Sequence, residues 1–157
     1  MRTVTGWMVH EGELDRDDVR ALLTFHFKQM RAGSPRDACH VLDLDSLRDP
    51  AIRFFSLREA DRLLGIGALK TLDATHGELK SMRTEPEALG RGVGGRMLAH
   101  LIETAQEMGL TRLSLETGNT ELFAAANRLY ERDGFEHCAP FGDYKPTPFT
   151  HFYTRTI

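Results

Sequence analysis

Met82-Arg-Thr-Glu-Pro-Glu-Ala-Leu-Gly-Arg-Gly-Val-Gly-Gly95 runs directly into Arg96-Met97-Leu98-Ala99-His100-Leu101-Ile102, whose apolar residues recur at helical spacing. Glycines carry no Cβ, so the backbone of this loop can approach an anion closely. The helix that follows offers unpaired N–H groups and the positive end of its dipole. Together they predict a phosphate cradle. Upstream, Glu78 to Thr84 alternates like a half-buried strand, and Glu85-Pro86-Glu87-Ala88 reads as the turn that delivers the chain to the loop.

Two templates fit the glycines. Gly90, Gly92 and Gly95 satisfy G-x-G-x-x-G, and Glu116 lies about twenty residues on, where a dinucleotide fold places its ribose-binding acid. That fold also wants a buried apolar strand ending at the first glycine, whereas the strand here is polar and alternating. Too little sequence follows the loop for a second mononucleotide half. The other template is an extended strand, a proline-bearing turn, and x-x-x-G-x-G opening an amphipathic helix.

In that second form the segment resembles motif A of the GNAT superfamily of acetyl-CoA-dependent N-acetyltransferases. A later stretch, Asn127-Arg-Leu-Tyr130-Glu-Arg-Asp-Gly134-Phe135, is similar to the family's helix ending in L-Y-x-x-x-G-F. One position departs from the pattern. The family usually has Arg or Gln three residues before the first motif glycine, which counted to Gly92 is Leu89 here, and Arg91 stands next to the glycine instead. The resemblance implies one α+β domain over residues 1–157. Its central sheet would be mixed, mostly antiparallel and flanked by helices, with a splayed pair of central strands. It further implies acetyl-CoA as cosubstrate, held by Met82, Thr84, Gly90, Arg91, Gly92, Val93, Gly94, Gly95 and Asn127. The reaction implied is direct transfer of acetyl to a primary amine of a small molecule or peptide in a ternary complex. A non-catalytic acyl-CoA binding module is the alternative.

Acetyl transfer from a thioester to an amine needs a deprotonated amine, a stabilised oxyanion and a proton for the departing thiolate. An alkyl ammonium has a pKa near ~10.4, so a base must act before attack. Glu78, on the strand before the loop, is the first candidate, and Glu116 on the neighbouring central strand is the second. Pairing of Glu78 with Lys80 is the competing structural reading. Strict alternation places Glu78, Lys80 and Met82 on one face and Leu79, Ser81 and Arg83 on the other. Tyr130 resembles the family's general acid, with a core aromatic as its alternative role. The resemblance points to a backbone N–H near Met82 for the oxyanion, and to an acceptor pocket drawing on His26, His40, Asp143 and Tyr144.

Bulk composition sets the outer bounds. A chain of 157 residues with 41% hydrophobic and 27% charged residues suits one globular domain with its own core. A net charge of −3 offers no case for non-specific nucleic-acid binding. Cys39 and Cys138 lack metal-ligand spacing, as do the histidines, so no metal is expected. No apolar run approaches membrane-spanning length and no leader pattern opens the chain, which predicts a cytoplasmic protein without membrane contact. A homodimer is left open. Helices are expected over 14–30, 42–47 and 94–108, and from a cap at Asn119 or Thr120 to Gly134. Strands are expected over 52–57, 63–72, 77–84, 113–117, 135–138 and 149–156.

Overall fold

A computed structural model describes residues 6–32 and 44–157. Seven strands form one open sheet, in the order β1-β2-β3-β4-β5-β7-β6. They are β1 (Trp7–Glu11), β2 (Ile52–Glu59), β3 (Arg62–Thr71), β4 (His76–Thr84), β5 (Arg112–Gly118), β6 (Glu136–His137) and β7 (Thr150–Thr156). Every neighbouring pair is antiparallel except β4 and β5. Helix α1 (Asp17–Ala32) covers one face, while α2 (Val93–Glu107) and α3 (Ala124–Arg132) belong to the other.

Each helix buries the stripe its spacing predicts. In α1, Val19, Leu22, Leu23 and Phe27 pack on Phe54, Leu63, Ile66 and Ala68 of the sheet. In α2, Met97, Leu98, Leu101 and Ala105 pack on Leu64, Leu69 and Leu79 from the opposite face. The approach of α2 to β3 depends on Gly67, where an added Cβ would lie 2.8 Å from Met97 Cγ. Gly109, at φ +84°, ends the α2 region, with its N–H donating to Gln106 O at 3.0 Å.

The sheet is opened by a local loss of pairing. Strands β4 and β5 register at His76↔Arg112, Gly77↔Leu113 and Glu78↔Ser114 and then stop. Each remains paired on its outer side, β5 with β7 as far as Gly118↔Thr150 and β4 with β3 as far as Thr84↔Gly65. The two strands therefore diverge beyond Glu78. Their joined end is pinned by a polar chain in which His76 Nε2 lies 2.7 Å from Ser114 Oγ, itself 2.9 Å from Thr154 Oγ1.

Several expectations need correction. Alternation along β4 breaks at Ser81, whose φ of +55° marks a bulge where the register with β3 shifts between Ile66 and Ala68. The extra residue moves Met82 onto the α2 face, packed against the cluster that holds Leu79, and leaves Arg83 on the α1 face beside His26. Glu78, Lys80 and Met82 thus do not share a face. Strand β1 was not expected, because Trp7 to Glu11 alternates too briefly to stand out without its partner β2. Around 42–47 the described part is a single 3-10 turn, Ser46–Arg48. The last helix starts at Ala124 after a 3-10 turn at Glu121–Phe123, and Thr120 makes no side-chain cap.

Candidate active site

The divergence of β4 and β5 makes a cleft of about 700 Å³ that runs from α1, between the strands, to the glycine loop. On the loop side Gly90 and Gly92 adopt φ of +79° and +85°, and a Cβ at either would meet nothing within 4 Å. This conformation favours glycine and exposes the loop backbone to a ligand. Gly94 and Gly95 follow as the first residues of α2 after Val93, and all three line the cleft. Met82 and Thr84 of β4 line it as well, and Thr84 Oγ1 lies 3.9 Å from where a Cβ on Gly94 would sit.

Two of the expected coenzyme contacts sit differently. Arg91 is turned to Glu59, with Nη2 3.1 Å from Oε1 and its guanidinium 5.4 Å from the Trp7 ring centroid, and does not line the cleft. Asn127 donates Nδ2 to Gly118 O at 2.9 Å, while its buried Oδ1 has no partner among the described residues. A buried acceptor without a donor is costly unless a ligand supplies one. Asn127 itself is not among the residues that line the cleft, whereas the open glycine loop and the helix N-terminus do line it and fit a ligand bearing phosphate groups.

Across the cleft, Glu78 is buried at 2% exposure. Its Oε2 accepts from Lys80 Nζ at 2.9 Å and from Tyr144 O–H at 2.6 Å, and Lys80 Nζ also reaches Tyr144 Oη at 2.7 Å. The competing reading of Glu78, a pair with Lys80, is therefore present, and it lies inside the cleft wall. Tyr144 comes from the segment between β6 and β7, and burial together with the negative charges of Glu78 and Glu116 pushes its hydroxyl far above the usual phenol range. Glu116 lines the same cleft from β5. The sequence alone did not couple Tyr144 to Glu78, since 66 positions separate them.

Tyr130 projects from α3 into the cleft and is buried, with its hydroxyl 3.9 Å from Met82 Sδ. Burial pushes its pKa up to about 12, and the charge of Arg83 opposes that rise. The phenol therefore keeps its proton across the physiological range. His26 on α1 lines the α1 end of the cleft and accepts from Arg83 Nε at 3.0 Å through Nδ1. Asp143 is exposed and lies away from the cleft, and His40 lies outside the described residues. Among the described residues no cluster of His, Cys, Asp or Glu could hold a metal ion, and no described helix is long and apolar enough to cross a membrane.

Comparison with known proteins places this geometry in a family. The model of the acetyltransferase (GNAT) family matches residues 17–135. The chain is 46% identical over 145 residues to the Escherichia coli (strain K12) protein named "Uncharacterized N-acetyltransferase YedL", covering 92% of this chain and 91% of that protein. A Klebsiella pneumoniae crystal structure, described as an acyl-CoA N-acyltransferase, superposes with a TM-score of 0.81 at 24% identity, covering 96% of this chain and 97% of that one. A GNAT family acetyltransferase from Elizabethkingia anophelis, solved with acetyl-CoA bound, gives a TM-score of 0.70 at 15% identity, over 98% of this chain and all of its own. These two structures share the fold.

Proposed function

The chain belongs to the GNAT acetyltransferase family, and from that premise we propose that it moves acetyl from acetyl-CoA to a primary amine of a small molecule or peptide, directly, in a ternary complex. The observation that carries this reading is the single cleft joining a phosphate-type loop to a buried carboxylate across the parted strands. Acetyl-CoA supplies the activated acyl group. The amides of Gly90 to Gly95 and the positive end of α2 hold its pyrophosphate, as anions are held at other helix N-termini. Asn127 Oδ1 takes an amide N–H of its pantetheine arm, and Met82 and Thr84 line the path between.

At the acceptor end the amine arrives as an ammonium, drawn to Glu78 and Glu116. Glu78 takes its proton, directly or through water, with Glu116 as the second carboxylate able to relay it. Because Glu78 Oε2 already receives two hydrogen bonds, Lys80 and Tyr144 hold the carboxylate in place, and proton uptake falls to its other oxygen or displaces one donor. The bulge at Ser81 re-aims the backbone around Met82, which suits an N–H aimed at the acyl oxygen. Tyr130 holds the proton for the departing thiolate, and the nearby Arg83 charge eases its release.

The reading is tested by thiol release. Purified protein and acetyl-CoA are incubated with a panel of amines, amino acids and short peptides, and amine-dependent release of coenzyme A is the expected result. Tight NAD binding with no acetyl-CoA binding would instead restore the dinucleotide template.

A further inference from the structure

The other arginines that pack into this structure bring a counter-ion with them. Arg58, at 1% exposure, places Nε 2.8 Å from Glu13 and its terminal nitrogens 2.6 and 2.8 Å from the two oxygens of Asp18. Arg53, Arg91 and Arg155 each hold a carboxylate as well. Arg83 does not. Its one hydrogen bond to a described residue runs from Nε to His26 Nδ1 at 3.0 Å, and its guanidinium lies 5.8 Å from the Phe25 ring centroid.

His26 cannot serve as a counter-charge. Burial, with the Arg83 charge adding to it, holds its pKa down at about 3, so the ring is neutral and accepts through Nδ1. No acceptor among the described residues meets the terminal nitrogens of Arg83, which lines the cleft together with His26 and Gln29. A guanidinium drawn out of water without an anion is destabilising, whereas one supplied with a carboxylate forms a paired, two-pronged contact.

Position separates this cation from the coenzyme loop. The Ser81 bulge sends Met82 toward α2 and α3, and Thr84 faces Gly94 on the same side, whereas Arg83 lies on the α1 face. This half of the cleft thus carries Glu78, paired with Lys80, and Glu116 where the strands begin to part, and beside α1 a guanidinium with no carboxylate partner among the described residues.

We propose that Arg83 binds a carboxylate of the acceptor, so that the substrate is an amine carrying its own carboxylate, with the amine at the Glu78 and Glu116 end and the carboxylate on Arg83. His26 acts as a positioning residue that fixes the guanidinium through Nε and leaves the terminal nitrogens for the ligand. A free amino acid and the C-terminal residue of a peptide share this chemistry. The proposal rests on the acetyltransferase reading for its substrate role, but its binding test does not need turnover.

The experiment is calorimetric titration of coenzyme A-loaded protein with N-acetyl derivatives of the common amino acids, the matching carboxamides and decarboxylated N-acetyl amines, and N-acetylated short peptides. At least one carboxylate series should bind, and its carboxamide should bind about 10–10²-fold more weakly, the loss expected when a half-buried charge is left unpaired. Arg83→Gln should remove that discrimination, Arg83→Lys should restore part of it, and both should keep coenzyme A affinity, which reports an intact fold. Binding by free amino acids but not peptides, or the reverse, identifies the source of the carboxylate. The proposal is overturned if no carboxylate binds, if carboxylates and carboxamides bind equally, or if Arg83→Gln leaves their ratio unchanged. Absence of coenzyme A release with every amine would overturn the acetyltransferase reading separately.

Discussion

Glu78 and His26 show how a side chain's surroundings set its chemistry. If Glu78 removes the amine proton, Glu78→Gln keeps the shape but cannot take the proton, and the rate loss should shrink at high pH as the amine deprotonates in solution. General-base catalysis is typically worth about 10²–10⁴-fold, which a pH–rate profile of Glu78→Gln beside Glu116→Gln will resolve. An unchanged profile for Glu78→Gln with loss of the acidic limb in Glu116→Gln would move the base to β5. His26 leads to a stability prediction. Its folded pKa is depressed to about 3, so the unfolded chain binds a proton below its ordinary value near 6.5 while the folded chain does not. That stability is complete above the unfolded pKa and is lost as pH falls toward the folded one. The loss should reach about 2 kcal/mol between pH 7 and pH 5. Denaturant melts of wild type and His26→Asn across that range check it. Parallel slopes for the two proteins would show that the imidazole is not buried neutral.

Among the elements, the start of α2 has two separable roles. Its first turn binds phosphate in the proposed function, and it also anchors the helix that covers β3. Gly95→Asp distinguishes them. A Cβ there would sit 3.8 Å from Leu129, an ordinary contact, and a carboxylate in the first turn interacts favourably with the dipole by about 0.3–1 kcal/mol. The variant should therefore melt no lower than wild type while its coenzyme A affinity falls by at least about tenfold, as negative charge replaces the space meant for phosphate. Retained affinity in calorimetry would place the pyrophosphate elsewhere. The bulge on β4 is a second element-level device. By inserting one residue it exchanges the faces that strict alternation would give Met82 and Arg83, which puts Met82 on the α2 face and Arg83 on the α1 face.

For the molecule as a whole, the cleft passes between two apolar clusters on opposite faces of the sheet, so in the proposed reaction coenzyme and acceptor would approach from different sides and meet where the strands part. Initial rates measured against both substrates should give intersecting lines, the pattern of a ternary complex. Parallel lines would indicate a covalent acyl-enzyme. Cys138 is poorly placed for that role, being partly buried, raised in pKa by desolvation and away from the cleft. Cys39 lies outside the described residues.

The loop from Gly90 to Gly95, the L-Y-x-x-x-G-F helix end and the positions of most strands were legible in the residues because each is a local pattern. Glycine permissiveness, helical spacing and turn chemistry act over a few neighbouring positions. The glycine loop at the start of α2 was therefore readable before the fold was known. The acceptor half was not. Tyr144 reaches Glu78 across 66 positions and Arg83 reaches His26 across 57, so only the closed sheet and the packed α1 bring them together. The face that Arg83 occupies depends on one extra residue at Ser81, and a bulge is set by pairing with β3 rather than by any signal in β4 itself. Local sequence determined the open glycine loop at the start of α2, and tertiary structure decided which side chains the opposite wall of the cleft presents.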